Sequence, residues 1–184
     1  MADRSTITPE LCRQLLRYEP ETGRLFWLHR PRVMFNSDRI FNSWNSKWAG
    51  AEGFTSMRGS GADYKCYIGG IHDMKFKAHR VAWAIYYGEW PNEIDHINGN
   101  PLDNRIANLR SVSHRENSRN RRMPTNNKSG HMGVRWDAKF SKWLARIKVD
   151  KGYKHIGLFA DINDAIAARK AAEIELGYHD NHGR

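Results

Sequence analysis

Cysteines, long apolar runs and internal repeats are scarce or missing in this sequence of 184 residues, and these absences exclude several classes of protein. Cys12 and Cys66 are too few and too far apart for a disulfide framework or a four-cysteine zinc site. No apolar run approaches the roughly 20 residues that span a bilayer, and the N-terminus lacks the apolar segment of a signal peptide. We therefore expect a protein of a reducing cytoplasm that contacts no membrane.

Charge and aromatic content indicate a folded protein with a polyanionic partner. The chain has 30 Lys and Arg against 20 Asp and Glu, a formal net charge of +10. Seven Trp, seven Tyr and seven Phe argue against disorder. A surface this basic attracts polyanions, of which nucleic acid is the commonest. A basic protein without such a partner is the alternative that charge alone leaves open.

The order of predicted elements divides the chain into a lead-in, a central domain, a linker, a small C-terminal domain and a tail. The lead-in is predicted to hold a helix from Thr8 and a strand near 24–28, whereas 30–62 shows no clear periodicity. In the central domain the pattern predicts two strands around a Gly69-Gly70 turn and then a helix over 78–87. The expected ranges are 1–63 for the lead-in, 64–122 for the central domain, 123–130 for the basic linker, 131–178 for the small domain and 179–184 for the tail.

The stretch Asp95-His96-Ile97-Asn98-Gly99-Asn100 is the most informative part of the sequence. Its first residues predict the end of a strand, and Asn98-Gly99 is a strong turn signal. Residues 109–112 predict the returning strand. Ser113 and Glu116 have the spacing of a capping box, which places Asn117 in the first turns of a helix. The predicted order is strand, loop, strand and helix.

Asp95, His96, Asn108 and Asn117 carry the groups that phosphodiester hydrolysis needs. An imidazole with a pKa near 6.5 can take a proton from water at neutral pH. Asp95 and Asn117 offer oxygens to one Mg²⁺ or Mn²⁺, while Asn108 can hydrogen-bond near His96 and orient the ring. Each residue alone is more often a plain surface, turn or cap residue, and Asn104 has the character of an ordinary turn residue. The combination of spacing, element order and charge favours a catalytic interpretation.

These motifs resemble the HNH homing-endonuclease family that is common in phages. The resemblance rests on 95–100, 104–110 and 116–120, and it extends over roughly 64–122. It implies a ββα-metal nuclease that cleaves duplex DNA, with His96 as general base, Asp95 and Asn117 as metal ligands, and Asn108 orienting His96.

Asn117 departs from the family pattern, since many members carry a second metal-binding histidine there. His114, three residues earlier, is a poorer substitute. Asn at this position resembles the phage members that often nick one strand. The zinc-binding cysteine pairs of some HNH proteins are absent, so we expect no structural zinc and no small-molecule cofactor. His79, which begins the helix before the motif, is expected to be structural.

The C-terminal part resembles the plant ethylene-response-factor (APETALA-type) DNA-binding domain. The matching segments are 133–135, 143–147, 157–159 and 165–168. The resemblance implies a three-stranded antiparallel sheet that packs on one helix and enters the major groove. DNA contacts are expected from these positions in the sheet and from the basic linker: Arg135, Arg146, Lys148, Arg119, Arg121 and Arg122. Asp137 stands where a plant domain more often has a basic residue, so plant-type sequence preference is not implied. The alternative for Arg146 and Lys148 is the solvated face of a half-buried sheet.

Together these patterns predict an α+β protein with a nuclease core, an N-terminal mixed α/β lead-in and a small sheet–helix domain. The predicted function is that of a monomeric, phage-encoded DNA endonuclease of the homing or nicking type. A non-catalytic DNA-binding regulator that retains the nuclease fold is the main alternative, and an RNA-directed enzyme is a weaker one.

Overall fold

The computed structural model describes residues 6–59, 65–119, 123–124, 126–149 and 152–178. Its chain forms two compact units, Met1–His114 and Arg115–Arg184. Each unit has its own buried cluster of apolar side chains. In the described ranges no helix is both long enough and apolar enough to cross a bilayer. The mixed α+β composition predicted from the sequence is confirmed.

The first unit combines helices with small antiparallel sheets. Its helices are α1 (Pro9–Leu15), α2 (Asp38–Trp48) and α3 (Ala78–Tyr87). Its strands are β1 (Leu16–Glu19), β2 (Arg24–Trp27), β3 (Glu52–Gly53), β4 (Ser56–Arg58), β5 (Cys66–Ile71), β6 (Met74–Lys77), β7 (Glu93–His96) and β8 (Leu109–Val112). They pair in the orders β1-β2-β3, β4-β5-β6 and β7-β8.

Local sequence signals set the ends of α1 and α3. The Thr8 hydroxyl accepts a hydrogen bond from the Leu11 amide at 3.2 Å, and Pro9 occupies the first helical position, where its missing N–H costs nothing. Gly88 ends α3 with a φ of +81°, a conformation that glycine adopts without a steric penalty. Both boundaries agree with the prediction from the sequence.

The core of the first unit joins the N-terminal segment to the strands that carry the Asp95-His96 motif. Leu15 from α1, Ile71 from β5 and Val81 from α3 are fully buried in one cluster, which also contains Leu109 from β8. Burying a side chain of this size stabilises a fold by about 1.5–3 kcal/mol. The N-terminal segment is therefore a structural part of the unit that holds the motif.

The structure corrects the turn predicted at Gly69-Gly70, because both glycines lie within β5. A Cβ atom at Gly69 would stand 2.5 Å from the Phe54 ring, so glycine here permits close packing. The chain turns instead at His72 and Asp73, which both have positive φ angles. The segment without clear periodicity contains α2, which Ser37 caps by accepting from the Ile40 amide.

The second unit is a three-stranded antiparallel sheet with one long helix, the arrangement predicted for the C-terminal part. Its elements are β9 (Val134–Asp137), β10 (Lys142–Val149), β11 (Gly152–Phe159) and α5 (Ile162–Glu175), with strand order β11-β10-β9. Val134, Ala145 and Ala165 form the centre of its core, where the sheet packs on α5. The short helix α4 (His114–Arg119) contains the boundary between the two units.

Candidate active site

The β7–β8 ladder places Asp95 and His96 at the end of a short strand. Asp95 pairs with Arg110 across the ladder, and His96 pairs with Leu109. Successive residues of a strand point to opposite faces, so the carboxylate and the imidazole diverge. His96 is buried, with only 9% of its surface exposed, whereas Asp95 on the opposite face of the ladder is partly exposed.

Asp95 forms an ion pair with the residue opposite it. Arg110 donates to Asp95 Oδ2 from Nε at 2.9 Å and from Nη2 at 2.5 Å. Both side chains are partly buried, which makes such a charged hydrogen bond stronger than one in bulk water. A cation bound at this carboxylate would lie beside the Arg110 guanidinium and would be repelled by its positive charge.

His96 is held by Asn104. The Nε2 atom of His96 lies 3.2 Å from Oδ1 of Asn104, and Asn104 itself is buried. An amide oxygen only accepts hydrogen bonds, so Nε2 carries the ring proton and Nδ1 carries the lone pair. Burial lowers the pKa of His96, while the Asn104 bond and the charge of Asp95 act in the opposite direction. A lowered pKa keeps the ring neutral at neutral pH, which is the form that can accept a proton.

Asn108 holds the loop backbone and not the imidazole. Its Oδ1 accepts from the Asn98 amide at 2.8 Å, and its Nδ2 donates to the Asp103 carbonyl at 2.7 Å. Its own carbonyl accepts from the Ile97 amide at 2.9 Å. The sequence predicts that Asn108 bonds near His96, and its bonds are to the backbone of the loop that follows His96, whereas the side chain bonded to the ring is that of Asn104.

Asp103 is the centre of a second set of bonds within this loop. Arg105 donates to its two oxygens from Nε at 2.8 Å and from Nη2 at 2.6 Å. Asn98 Nδ2 donates to Oδ2 at 2.7 Å. The Arg105 bonds are the main cause that lowers the pKa of Asp103 to about 2, with the Asn98 bond adding to it. The loop that presents Asn104 is therefore fixed by side chains at both of its ends.

The N-terminal segment also fixes this loop. The Tyr18 hydroxyl donates to the Asn104 carbonyl at 2.7 Å in a buried position. The Ile106 amide donates to the Pro20 carbonyl at 3.1 Å. Gly23 lies so close that a Cβ atom there would stand 2.6 Å from the Arg105 nitrogen. These contacts position the residue that holds His96, although they come from a distant part of the sequence.

His79 is buried directly against His96. The two rings meet edge to face, with centroids 5.1 Å apart. Burial is the main cause that lowers the pKa of His79 to about 3, so its ring is neutral. Its Nδ1 atom is buried without a hydrogen-bond partner in the described structure. A neutral, packed ring is consistent with the structural role predicted for His79.

The residues that could hold a metal supply hard oxygen donors. Asp95 offers a carboxylate and Asn117 an amide oxygen, the donor types that Mg²⁺ and Mn²⁺ prefer. Asn117 lies on α4 beyond the boundary of the first unit, so its role as second ligand stays a prediction. Within the described ranges no three His, Cys, Asp or Glu side chains gather as a metal-binding group. The donor set suits a cation that takes few protein ligands and completes its shell with phosphate and water.

His114, the alternative to Asn117, is engaged elsewhere. Its Nδ1 lies 2.6 Å from Oε1 of Glu93, at the start of β7.

Three arginines near the linker are expected to contact DNA. Arg119 ends α4, and its side chain lies outside the described structure, as do Arg121 and Arg122. Their roles stay predictions.

The C-terminal sheet presents the three predicted DNA contacts on its face away from α5. Arg135 pairs with Leu144, and both alternate with the buried pair Val134 and Ala145. A β-bulge after Ala145 shifts the register, and the next pairs are Arg146 with His155 and Lys148 with Tyr153. The Arg146 guanidinium lies 4.3 Å from the centroid of the Tyr153 ring. Along β10, Arg146 and Lys148 alternate with the buried residues Ala145 and Ile147, so they share the face of Leu144 and of its partner Arg135.

Sequence reasoning missed Asn104, Arg110 and Tyr18 as residues of the site. The sequence gives Asn104 the character of a turn residue, because its burial depends on Tyr18 and Pro20, which lie outside the motif. Arg110 carried a usable signal. If the two predicted strands pair antiparallel, with the loop between them ending near Asn108, then Arg110 lies opposite Asp95. Residues of opposite charge that face each other on paired strands form ion pairs.

The region of this site is similar to a known protein family and to a phage protein. Residues 76–119 match the family model described as HNH endonuclease. The chain is also 32% identical over 93 residues to protein 3.8 of Escherichia phage T7, a match that covers 50% of this chain and 76% of that protein. No solved structure matches the chain significantly.

Proposed function

Because this chain belongs to the same family as phage T7 protein 3.8 and carries an HNH endonuclease domain at residues 76–119, we propose that it is a metal-dependent endonuclease that hydrolyses phosphodiester bonds of duplex DNA. The observation that carries the proposal is the buried, neutral His96 beside Asp95 at the end of β7, with its Nε2 bonded to Asn104. We assign β7, β8 and α4 the roles of the two strands and the helix of a ββα-metal site.

His96 acts as the general base. The proton on Nε2 leaves the Nδ1 lone pair to accept a proton from water, and the resulting hydroxide oxygen forms a bond to phosphorus while the phosphorus–oxygen bond to one nucleoside breaks. Asn104 keeps the ring in the required tautomer and orientation. Asn108 acts as a positioning residue, because its two bonds hold the loop that carries Asn104.

Asp95 and Asn117 would hold one Mg²⁺ or Mn²⁺. When bound, such an ion supplies positive charge to the phosphate and orients it for attack. Asn117 in place of a second histidine favours an enzyme that nicks one strand, as in the phage members that this sequence resembles. The proposed enzyme is therefore a phage-encoded endonuclease of the homing or nicking type.

The second unit anchors the enzyme on DNA. Its outer sheet face carries Arg135, Arg146 and Lys148 with the aromatic ring of Tyr153, which suits a phosphate backbone and base edges. Arg119, Arg121 and Arg122 extend the positive charge along the linker. The likeness of this unit to an APETALA-type domain supports entry of the sheet into the major groove.

The catalytic proposal is tested with His96→Ala on supercoiled plasmid in Mg²⁺ or Mn²⁺. We expect at least a ~100-fold slower conversion to nicked circles, since a general base contributes about 10²–10⁴ in rate. Binding to the same DNA should be retained. The matched control is His29→Ala, which removes an exposed histidine of the same unit. Nicking by His96→Ala at the wild-type rate would disprove the assignment of the base.

The same assay separates the enzyme from a non-catalytic DNA-binding regulator. A regulator would bind plasmid and leave it supercoiled at every metal concentration.

The anchor role of the second unit is tested with the double variant Arg146→Gln and Lys148→Gln. The control is Lys154→Gln, since Lys154 lies on the helix side of the same sheet, beside Glu175. Each lost phosphate contact should reduce the log–log salt slope of duplex binding by about 0.9. An unchanged slope would contradict the anchor role, and preferred cleavage of duplex RNA would favour the RNA-directed alternative.

A further inference from the structure

The sheet β4-β5-β6 has one face in the core and one face lined with cations. Its core face includes Ile71, which is fully buried. On the other face of β5, Cys66 pairs with Arg58, Ile68 with Lys77, and Gly70 with Lys75. Paired residues of an antiparallel sheet share a face, and alternate residues of one strand share it too. Arg58, Lys75 and Lys77 therefore project from the same surface.

This surface contains a pocket of about 330 Å³. Its lining residues are Arg58, Ile68, Lys75, Phe76, Lys77, Arg80 and Trp90. The Phe76 and Trp90 rings stack with centroids 5.5 Å apart and give the pocket an aromatic wall. Among the lining residues in the described ranges four are cationic and none is acidic. We name this feature the basic pocket.

Arg80 has a structural task that the other three cations lack. It donates to the carbonyls of Pro91 at 2.7 Å and Asn92 at 2.9 Å, which holds the turn before β7. Arg58, Lys75 and Lys77 are exposed, and none forms an ion pair with a residue in the described ranges. Cations that gather without counter-charge repel one another, and an anion in the pocket would relieve that repulsion.

The basic pocket lies beside the candidate active site. Lys77 ends β6 and immediately precedes α3, whose second residue is His79. The His79 ring in turn meets the His96 ring edge to face, with centroids 5.1 Å apart. A polyanion that occupies the pocket and continues past Lys77 therefore approaches the imidazole proposed as the base.

We propose that the basic pocket binds backbone phosphates of the DNA duplex next to the cleaved bond. The first unit then contacts DNA by itself and sets the approach of the strand to His96, in addition to the contacts made by the second unit. The proposal rests on the proposed function, because it takes DNA as the substrate. Repeated phosphates fit the pocket because its cations come from two strands and a helix, with Arg58 on β4, Lys75 and Lys77 on β6, and Arg80 on α3.

The experiment compares two double variants of the full chain. Arg58→Gln with Lys75→Gln removes two exposed pocket cations that have no part in the catalytic proposal. Arg39→Gln with Lys47→Gln removes two exposed cations from α2 and matches the change in charge. Duplex DNA binding is measured without metal over a series of salt concentrations. We expect the log–log slope to fall by about 1.8 in the pocket variant and to change little in the α2 variant.

Equal slopes in the wild type and the pocket variant would overturn the proposal, and so would equal losses in both variants, which would indicate a general charge effect. A loss seen with duplex RNA but not with DNA would overturn the assignment to DNA. Plasmid cleavage in Mg²⁺ is scored separately. If the pocket variant has a smaller salt slope but the wild type does not cleave plasmid, the basic pocket binds DNA and the proposed nuclease activity is refuted. If the wild type cleaves plasmid and the slope of the pocket variant is unaltered, only the role of the basic pocket is refuted.

Discussion

The Nε2 atom of His96 lies 3.2 Å from Oδ1 of Asn104, and this contact fixes the tautomer of the ring. Asn104 is in turn held by Tyr18 through its carbonyl, in a buried position that water does not reach freely. The orientation of the proposed base therefore depends on a residue of the N-terminal segment as well as on its own loop.

Asn104→Ala should slow plasmid nicking by about 10- to 100-fold, because the imidazole loses its orientation but keeps its chemistry. The reduction should appear in kcat, with DNA affinity nearly unchanged. Asn100→Ala is the matched control, since the Asn100 side chain lies in the same loop and, in the described part of the chain, accepts from the Leu102 amide at 3.1 Å without contacting the ring. Equal loss of kcat in the two variants would show that Asn104 acts through the loop and not through the ring.

Arg110→Gln should lower the Mg²⁺ concentration that gives half-maximal nicking. Removing one positive charge about 4 Å from a bound divalent cation is worth about 2 kcal/mol in water, or about a 30-fold change in metal affinity. Gln retains a hydrogen-bond donor beside Asp95. Arg105→Gln serves as control, because Arg105 bonds Asp103 and not Asp95. A half-maximal concentration that stays equal or rises in Arg110→Gln would exclude competition between Arg110 and the metal for Asp95.

The first unit should lose stability as the pH falls below about 6.5, the ordinary pKa of histidine. The folded state keeps His79 neutral down to a pKa of about 3, while the unfolded chain binds a proton near 6.5. Between these values the unfolded state holds more protons, so the free energy of unfolding decreases with falling pH, by up to about 1.4 kcal/mol per pH unit for one such group. His96 acts in the same direction because burial also lowers its pKa.

Urea unfolding followed by circular dichroism from pH 7 to pH 4 measures this dependence. His79→Gln should be less sensitive to pH than the wild type, since the buried titrating ring is gone. His29→Gln, which changes an exposed histidine, should retain the wild-type dependence. A wild-type slope in His79→Gln would mean that His79 is solvated in the folded protein.

Elements with strong local signals could be predicted from the sequence. The Thr8 cap and the end of α3 at Gly88 depend on neighbouring residues only, and the structure has both. The alternation along β10 is present in part: Ala145 and Ile147 are buried and Lys148 is exposed, but Leu144, on the face of Lys148, is buried as well. Gly69 shows the limit of such reasoning. A double glycine is a common turn signal, but here the nearby Phe54 ring requires a residue without a side chain inside a strand. That requirement comes from packing between segments and leaves no local pattern.

The candidate site shows the same division. Asp95 and His96 could be located because a strand end and an Asn-Gly turn are adjacent in sequence. The partner of His96 could not be chosen between Asn104 and Asn108 by spacing, since both lie within reach of the ring in a closed loop. Tyr18 and Pro20 fix the backbone near Asn104 and so place this residue against the ring. Both lie far before Asn104 in the sequence, so no local pattern indicates their contact.

Gly23→Ala should reduce nicking although Gly23 lies far from the motif in sequence. Gly23 has a φ of +75°, and a Cβ atom there would stand 2.6 Å from both the Arg105 nitrogen and the Asn104 carbonyl carbon. The loop must shift to accommodate the methyl group, and Asn104 then moves away from His96. Gly50→Ala is a matched control, because Gly50 has a φ of +81° and nothing within 4 Å of its Cβ position.

Both substitutions carry the cost of a left-handed backbone in a residue with a side chain, about 1 kcal/mol. Thermal unfolding should therefore show a decrease in both variants, with the larger one in Gly23→Ala. Nicking rates measured well below either unfolding transition should fall only in Gly23→Ala. If the two variants nick DNA at the same rate, the turn at Gly23 has no influence on the position of Asn104, and the link from the N-terminal segment to His96 is refuted.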